Sequence, residues 1–406
     1  RVTKPNTALV IGAGLAGATT AAALANRGIE VTVIDAGSIA DGASANPQGV
    51  LYTRLSTRHS NLVDFALQSY LFATQFYANC FARGALISPE DGQLCGCFAQ
   101  INKAEELKTL ADRLHSVPHL ASVLSASQAS DELGAEVTRS GYWYPRSGWL
   151  SPASVCRALL DNPSIEVFEN VGPVRLDSIE GLWRASAAGK SIKTAAIAIL
   201  ATGTATNTFD CLRWLPLQPV RGQTTQLPVT EQSLTLKAVL CHEGYIAPTA
   251  GKSHCIGASF GPGDTEDAER VTEHQDNIRA LQNAIPSWSS SLGGLESDTL
   301  SGKVRFRCAS NDYLPVVGQV PDYDAFCSTY ASLRKDAGKR IAQSGNYLTG
   351  LYVNTAHGSR GLTSTPLAAE WLASEICNEP RPYSRKLSRA LSPARFIIRG
   401  LNRNRI

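Results

Sequence analysis

Hydrophobic and polar positions at the start of the chain follow the order strand, turn, helix, strand. Ala8–Ile11 is a short apolar run typical of a buried strand, and the alanine-rich stretch Ala18–Asn26 favours a helix. Gly28 stands where a helix C-cap belongs, and Glu30–Ile34 alternates as a β-branched strand. The pattern predicts one strand–helix–strand unit that ends at Asp35.

After this unit the pattern predicts mainly antiparallel strands. Residues 36–55 form a loop rich in glycine, serine, alanine and asparagine, and Ser60–Ala82 has the apolar spacing of a helix. Alternating, aromatic stretches at Gly92–Ala99, Gly141–Trp149 and Leu217–Leu227 are typical of antiparallel strands. The remaining predicted elements are a meander over Glu166–Leu200, helices over Gln275–Ala284 and from about Pro366 to Ile376, and a buried strand over Tyr347–Val353.

This order of elements predicts an α/β protein with a discontinuous domain organisation. Segments 1–90, 145–220 and 335–380 are expected to build a dinucleotide-binding domain. Segments 91–144 and 221–334 are expected to form a second, antiparallel domain that covers the reactive face of the cofactor, and residues 381–406 a basic tail.

Composition is that of an ordinary globular protein, with 43% hydrophobic and 18% charged residues. Apolar runs are too short to span a bilayer and residues 1–7 have no signal-peptide character, so a cytoplasmic protein without a membrane partner is expected. The ten cysteines are scattered, with only Cys95 and Cys97 close together, and no CxxC pair occurs. The cysteines are therefore expected to fill apolar space, and no metal site is predicted.

Gly12, Gly14 and Gly17 form a GxGxxG motif between the first strand and the first helix. The first glycine allows a tight turn, the second lets the backbone approach a pyrophosphate, and the third allows close packing of helix and strand. The helix N-terminus near Leu15 would offer free N–H groups to the phosphates, and Asp35 would accept a hydrogen bond from a ribose hydroxyl. In this context the motif predicts a dinucleotide site, although it does not separate NAD from FAD.

The rest of the chain favours FAD, because the first unit runs directly into a glycine- and serine-rich loop instead of further strand–helix repeats. Residues Ser359–Gly361 could begin a second helix whose N-terminus stabilises negative charge on a reduced flavin. The alternative is an ordinary turn between strand and helix.

Six sequence stretches together resemble the D-amino-acid-oxidase-like FAD family, which includes glycine and sarcosine oxidases. They are VIGAGLAGATTAAALANRG, VIDAG, GASANPQG, ILATG, RFRCASNDYLPVVG and HGSRGLTSTPLAAEWL. The runs GWLSPASVCRALL, PVRGQ and SPARFIIR are most similar to the oxidoreductase half of bifunctional enzymes that modify the wobble uridine of tRNA. The resemblance covers nearly the whole chain. It implies a Rossmann-type FAD-binding domain with an antiparallel substrate domain, as in glycine oxidase.

The resemblance also implies site residues. Arg307 matches an arginine that faces the substrate carboxylate in glycine-oxidase-like relatives, and Arg360 and His357 are further catalytic candidates; the alternative for Arg307 is a structural arginine. The FAD-binding residues it implies are Gly12, Gly14, Leu15, Ala16, Gly17, Asp35, Ala36, Ser44, Asn46, Gln48, Gly49, Val174, Ala201, Thr202, Gly203, Ser359, Arg360, Gly361, Leu362 and Thr363.

The implied reaction removes the carboxymethyl group from carboxymethylaminomethyl-uridine, or its 2-thio form, in tRNA. Aminomethyl-uridine and glyoxylate are the expected products, and the enzyme would be an oxidoreductase acting on CH–NH groups. Two alternatives stay open: an oxidase of free glycine, sarcosine or D-amino acids, and a non-catalytic module that binds flavin and tRNA. The resemblance also implies an S-adenosylmethionine-dependent methyltransferase partner, fused on the N-terminal side, which agrees with a chain that begins at Arg1 without an initiator methionine.

A tRNA substrate would favour a basic surface, but the net charge of +3 is unremarkable. The C-terminal segment is more informative because it is basic throughout. It could form a face that binds phosphates, or it could be a solvated tail, and the sequence leaves both interpretations open. The basic residues after Glu379, the last acid, are Arg381, Arg385, Lys386, Arg389, Arg395, Arg399, Arg403 and Arg405.

Overall fold

The computed structural model describes residues 4–101 and 104–406. The N-terminal strand–helix–strand unit lies in the middle of a six-stranded sheet. The predicted unit is confirmed as strand Thr7–Ile11, helix Leu15–Ala25 and strand Glu30–Ile34. Five strands of this sheet run parallel, whereas the edge strand Val316–Pro321 is antiparallel to its neighbour. The strand order is Val316–Pro321, Tyr347–Thr355, Ile197–Leu200, Thr7–Ile11, Glu30–Ile34 and Ile165–Phe168.

The helix Leu15–Ala25 is buried on nearly all sides, since ten of its 11 residues are buried. It packs against the helices Pro152–Leu160 and Gly361–Ile376. Alanine side chains allow this close approach, and a helix that is apolar all round is typical of an interior position. The packing fixes the N-terminus of the helix beside the carboxyl end of the first strand, where ligands bind in open α/β sheets.

The helix predicted from about Pro366 begins five residues earlier, at Gly361. Proline has no backbone N–H, so it leaves the carbonyl four residues before it, that of Leu362, without a helical donor. The fully buried Tyr77 of the helix Asn61–Ala82 fills this gap, because its hydroxyl donates to Leu362 O at 2.9 Å. A tertiary hydrogen bond therefore allows the helix to run through the proline.

The second large sheet has nine strands and is mainly antiparallel, as predicted. One pair departs from this pattern, because Val239–Cys241 runs parallel to Cys97–Gln100. The long strand Leu217–Pro228 pairs on one side with Gly302–Ser310 and on the other with Gly261–Pro262 and Ser253–Gly257. The remaining strands of the sheet are Tyr245–Ile246, Gly141–Tyr144 and Ser122–Leu124.

Two three-stranded sheets complete the β-structure of the described residues. The predicted meander is one of them, with strands Val174–Ile179, Leu182–Ala187 and Lys190–Ala195, and the other joins Gly49–Leu51, Gly148–Leu150 and Gly92–Gln93. The other helices are Ala104–Leu114, Ala126–Leu133, Val271–Ala284, Ser289–Gly293 and Tyr323–Thr329, with short 3-10 turns at Gly203–Thr208, Asp210–Leu212, Ser233–Thr235, Pro286–Trp288 and Ala331–Arg334.

The C-terminal basic segment is folded and contains the helices Arg385–Leu391 and Ala394–Asn402. The buried Arg395 donates from Nε and Nη2 to Asp312 at 3.0 Å each, and Arg399 also pairs with Asp312. Burial alone would raise the pKa of Asp312, but the hydrogen bonds and charges of these arginines outweigh it and lower that pKa to about 2. Two of the eight basic residues therefore serve internal packing, and only the others are available to a partner.

The predicted domain boundaries stay a prediction. They assign the strand Val316–Pro321 to the second domain, whereas this strand belongs to the six-stranded sheet. Within residues 4–101 and 104–406, no helix is both long enough and apolar enough to cross a membrane. The same residues contain no group of three or more His, Cys, Asp or Glu side chains that could hold a metal ion.

Candidate active site

A cavity of about 2470 Å³ opens between the six-stranded sheet and the nine-stranded sheet. Of the twenty residues that the sequence proposes for FAD, all but Gly17 and Gln48 line it. Arg307 and His357 line it as well. The cavity is larger than the usual range of about 300–1,000 Å³ for small-molecule pockets, so it has room for more than one ligand.

The glycine motif forms the floor of the cavity at the end of the first strand. Gly12 has φ +105, and a Cβ on it would lie 2.5 Å from the carbonyl oxygen of Ala201. A Cβ on Gly17 would overlap the carbonyl oxygen of Gly12. Gly17 therefore does not line the cavity but allows the helix to pack closely against the turn after the first strand. Gly14 is the N-cap of the helix and provides no side-chain acceptor, and the first N–H of the helix, that of Leu15, donates to Ser44 Oγ at the cavity wall.

Asp35 holds this turn in place from the end of the second strand. Its Oδ2 accepts from Ala13 N at 2.6 Å, and its Oδ1 accepts from Gly37 N at 2.9 Å. The carboxylate therefore lies beside the glycine turn and lines the cavity, which is the position expected for a group that binds a ribose hydroxyl.

The loop after Asp35 forms hydrogen bonds with the first helix on one side and with residues of the nine-stranded sheet on the other. Ser44 accepts from Leu15 N at 3.0 Å, and Asn46 Nδ2 donates to the hydroxyl of Tyr245 at 2.7 Å. Gln48 is buried behind the wall, where its Nε2 donates to Pro248 O at 2.8 Å and its Oε1 accepts from Cys255 N at 3.0 Å. Gln48 thus positions the loop and does not line the cavity.

A second helix N-terminus faces the same cavity, since Ser359, Arg360, Gly361, Leu362 and Thr363 all line it. Arg360 is the N-cap and has no side-chain cap hydrogen bond. The first N–H groups of an α-helix have no acceptor within the helix, and they carry the positive end of its dipole. This end can stabilise negative charge on a bound ligand.

Arg307 presents a half-buried cation to the cavity. Its Nη1 donates to Ser259 O at 3.1 Å, and its guanidinium lies over Gly222, where a Cβ would come within 2.5 Å of Nη1. Among the residues that the structure describes, no carboxylate lies within 4.0 Å of it. Burial lowers the pKa of this guanidinium, and an anionic ligand would supply the missing opposite charge.

Arg360 also lines the cavity, with its guanidinium carbon 5.6 Å from the ring centroid of Tyr52. Burial is the main cause that raises the pKa of Tyr52 to about 12, so this phenol stays neutral at physiological pH. The neutral ring offers a cation–π contact to Arg360.

His357 has protein partners at both ring nitrogens. Asn354 Nδ2 donates to Thr20 Oγ1 at 2.9 Å, which leaves Asn354 Oδ1 to accept from His357 Nε2 at 2.8 Å. His357 Nδ1 lies 2.8 Å from Ser364 Oγ. This arrangement favours a role in positioning the start of the helix over a role in proton transfer.

The neutral state of His357 predicts a pH-dependent stability. Burial lowers its pKa to about 3 in the folded chain, whereas an unfolded chain takes up this proton near pH ~6.5. Since the folded pKa lies below the unfolded one, the unfolded state gains protons first, and stability falls as the pH drops below about 6.5. We expect the thermal midpoint to fall more between pH 7.5 and 5.5 for the unaltered chain than for His357→Gln. Equal falls would show that His357 does not contribute.

Three contributors to the site could not be identified from the sequence. Tyr245 donates to Gln48 O at 2.8 Å, Ser259 supplies the carbonyl that holds Arg307, and Gly222 leaves room for the guanidinium. Burial raises the pKa of Tyr245 well above its ordinary value. The sequence marks only Gly222, as the glycine of PVRGQ. Its importance depends on the paired strand Gly302–Ser310, which lies more than 80 residues away in the sequence.

Comparison with known proteins shows the family. The model of the family described as FAD dependent oxidoreductase matches residues 7–375. The chain is similar to two curated proteins named "tRNA 5-methylaminomethyl-2-thiouridine biosynthesis bifunctional protein MnmC". It is 37% identical to that of Pseudomonas putida (strain GB-1) over 405 residues and 38% identical to that of Chromobacterium violaceum over 412. These matches cover 99% of the chain but 61% of each relative, so the chain spans about three fifths of their length.

Solved structures show the same fold at low sequence identity. Glycine oxidase from Geobacillus kaustophilus superposes with a TM-score of 0.72 at 19% identity, covering 97% of this chain and 99% of that one. Iminodiacetate oxidase from Chelativorans sp. BNC1 has the same TM-score at 20% identity, covering 95% and 98%. The predicted combination of a Rossmann-type domain and an antiparallel domain is confirmed.

Proposed function

The chain belongs to the family of FAD-dependent oxidoreductases, and from that membership we propose that it oxidises a modified uridine of tRNA. The substrate would be carboxymethylaminomethyl-uridine, or its 2-thio form, at the wobble position. The products would be aminomethyl-uridine and glyoxylate. The observation that carries the proposal is the similarity, over 99% of the chain, to proteins named for the biosynthesis of methylaminomethyl-thiouridine in tRNA.

The residues present fit FAD as the cofactor. Gly12 and Gly17 let the backbone turn tightly and the helix approach the strand, because a Cβ on either would meet backbone oxygen, and two helix N-termini, at Leu15 and Gly361, face one cavity. We propose that the first end holds the pyrophosphate, that Asp35 binds the adenosine ribose, and that the second end lies beside the flavin ring. Residues Val174 and Ala201–Gly203 line the cavity on the side expected for adenine.

Arg307 suits the carboxylate of this substrate. The carboxymethylaminomethyl group is a glycine attached through its nitrogen, and a guanidinium can bind its carboxylate through two hydrogen bonds. Arg360 is a second candidate, but it lies over Tyr52 and at a helix N-terminus, whereas Arg307 lies on a strand and has no acid partner among the described residues. We propose that Arg307 orients the glycyl carbon for oxidation.

Bound FAD supplies the two-electron acceptor for the carbon between the nitrogen and the carboxylate. Loss of a hydride from this carbon leaves an imine, whose hydrolysis releases glyoxylate and keeps the amine on the uridine. No described side chain needs to act as a strong base if the secondary amine binds in its neutral form.

The substitution Gly222→Ala tests the position of Arg307. The added methyl would displace the guanidinium, which is the flexible end of a side chain, so the strand should stay intact. We expect normal FAD content but a loss of about 10- to 100-fold in the efficiency of flavin reduction by substrate, because misplacing a binding group by about 1 Å can cost 10²-fold. Stopped-flow reduction measures this, with Gly294→Ala, which meets no atom within 4 Å, as control. Unchanged reduction would mean that Arg307 does not orient the substrate.

Product analysis tests the proposed reaction itself. tRNA that carries carboxymethylaminomethyl-uridine is incubated with the FAD-loaded chain, digested to nucleosides and analysed by mass spectrometry. Aminomethyl-uridine and glyoxylate should appear in equal amounts. If the modified nucleoside is recovered unchanged, the chain is not this oxidase.

The proposal carries two further expectations about partners. Because the chain spans 61% of its curated relatives, we propose that the remaining part of such a protein holds the S-adenosylmethionine-dependent methyltransferase that acts on the freed amine. We also propose a cytoplasmic location, because the substrate is tRNA.

The first alternative, an oxidase of free glycine, sarcosine or D-amino acids, has only the shared fold in its favour. The second alternative is a non-catalytic module that binds flavin and tRNA. It would not explain why Arg307 faces the cavity without a carboxylate partner among the described residues.

A further inference from the structure

One wall of the cavity carries a row of basic side chains. The strand Gly302–Ser310 pairs with Leu217–Pro228 so that Lys303 lies opposite Thr224, Arg305 opposite Gly222, and Arg307 opposite Val220. Side chains of alternate residues in a strand point to the same face, and directly paired residues share that face. Lys303, Arg305 and Arg307 therefore lie on one face, and all three line the cavity.

The opposite face of the same strand pair is closed. Arg221 and Gln223 alternate with the cavity-facing residues, and Arg221 pairs with Glu273 of the helix Val271–Ala284. Gln223 is buried beside it, and its Nε2 donates to Arg270 O at 2.8 Å. The basic row thus faces the cavity on a sheet whose other side is packed.

Exposure increases along the basic row. Arg307 and Arg305 are half-buried, with the side chain of Arg305 39% exposed, and Lys303 is exposed. Alternate strand residues are about 6.6–6.8 Å apart, which is comparable to the step between neighbouring phosphates of a nucleic-acid strand. The row leads from solvent to the residue that we propose as the carboxylate site.

The outer two basic residues have only weak protein partners. Arg305 Nη2 lies 3.1 Å from Oδ1 of Asp41, whose side chain is 61% exposed, and Arg305 Nε donates to Asp41 O at 2.9 Å. Lys303 Nζ donates to Ala45 O at 3.3 Å. Exposed contacts of this kind contribute at most about 1 kcal/mol, so a phosphate can replace them at little cost.

An exposed aromatic residue lies on the other side of the strand Leu217–Pro228 from the basic row. Phe260 is 57% exposed and lines the cavity, and the next residue, Gly261, pairs with Arg221. The loop that carries Phe260 is fixed, because Ser259 N donates to Gln223 O at 3.2 Å and Ser259 Oγ donates to Glu273 at 3.0 Å. A large apolar ring held in an exposed position is a suitable platform for a nucleobase.

We propose that this wall, formed by Lys303, Arg305 and Phe260, is the binding surface for the single-stranded RNA segment around the target nucleotide. Lys303 and Arg305 bind its phosphates, and Phe260 stacks against a base. The inference rests on the proposed function and deepens it. Acidic residues that also line the cavity, among them Asp41, Glu243 and Asp267, would repel phosphates.

The test measures binding and oxidation separately, on the FAD-loaded chain of 406 residues. Anaerobic titration by fluorescence anisotropy gives the Kd of labelled tRNA that carries carboxymethylaminomethyl-uridine at several salt concentrations, and flavin reduction is followed with this tRNA and with the free nucleoside. The variants are Lys303→Ala, Phe260→Ala and Phe260→Trp. Arg279→Ala, whose arginine is 68% exposed and does not line the cavity, is the matched control.

Lys303→Ala should weaken tRNA binding and lower the slope of log Kd against log salt by about 0.7, the value for one phosphate contact on a single strand. Its effect on flavin reduction should be much larger with tRNA than with the nucleoside. Phe260→Ala should weaken tRNA binding about 5- to 150-fold, which corresponds to about 1–3 kcal/mol for a stacked base, and Phe260→Trp should restore it.

Binding and salt slopes equal to those of Arg279→Ala would overturn the proposed RNA surface. tRNA that binds in this way but never reduces the flavin would instead overturn the proposed function, because the surface is then present without the reaction. If the unaltered chain does not bind tRNA, both proposals fail.

Discussion

Arg307→Ala is expected to keep its FAD but to be reduced by substrate at least about 100-fold less efficiently. The loss follows from two hydrogen bonds to a carboxylate, each worth about 1.5–3 kcal/mol when a charged group takes part, with a factor of ten for every ~1.4 kcal/mol. Arg307 contacts Ser259 O and lies over Gly222, and neither residue belongs to the glycine motif that is expected to hold FAD. The flavin absorbance of the purified variant should therefore match that of the unaltered chain.

Anaerobic stopped-flow reduction over a range of substrate concentrations measures this effect. Arg279→Ala, an exposed arginine in the helix Val271–Ala284, serves as the control for the loss of a positive charge. If Arg307→Ala loses FAD together with activity, then Arg307 is a structural residue. If the variant is reduced as well as the control, the carboxylate is bound elsewhere, and Arg360 becomes the first candidate.

Gly17→Ala is expected to abolish FAD binding and to destabilise the first domain by on the order of 4 kcal/mol or more. The added methyl would overlap the carbonyl oxygen of Gly12, which is backbone and cannot turn aside as a side chain would. The helix Leu15–Ala25 would have to move away from the strand Thr7–Ile11, and its N-terminus would leave the pyrophosphate position.

Thermal unfolding and the flavin-to-protein absorbance ratio measure both effects. The control Gly293→Ala introduces the same methyl where no atom lies within 4 Å. Normal flavin content in Gly17→Ala would mean that the turn tolerates a wider separation of helix and strand, and it would contradict the proposed role of the motif.

The parts of the fold that depend on local patterns could be predicted from the sequence. The first strand–helix–strand unit needs only its own residues: an apolar run, a glycine turn, an alanine-rich helix and an alternating strand. The start of the helix Gly361–Ile376 could not be predicted, because the donor that satisfies Leu362 O comes from Tyr77, nearly 300 residues earlier. The parallel pairing of Val239–Cys241 with Cys97–Gln100 likewise joins distant segments without a local signal.

The candidate site divides in the same way. Residues of the glycine motif and of Ser359–Thr363 could be identified because motif and resemblance mark them, and all of them except Gly17 line one cavity. Gly222 and Ser259 could not, since their importance comes from contact with Arg307 across a pair of strands and a loop. The basic tail was ambiguous because only the structure shows that Arg395 is buried against Asp312.

The most direct test of the central claim is anaerobic bleaching of the flavin absorption band. The FAD-loaded chain is mixed with tRNA bearing carboxymethylaminomethyl-uridine and, in parallel, with free glycine and sarcosine. The proposed function predicts rapid bleaching by the tRNA alone, with aminomethyl-uridine in its digest. Bleaching by the free amino acids and not by the tRNA would contradict it and would identify a small-molecule oxidase.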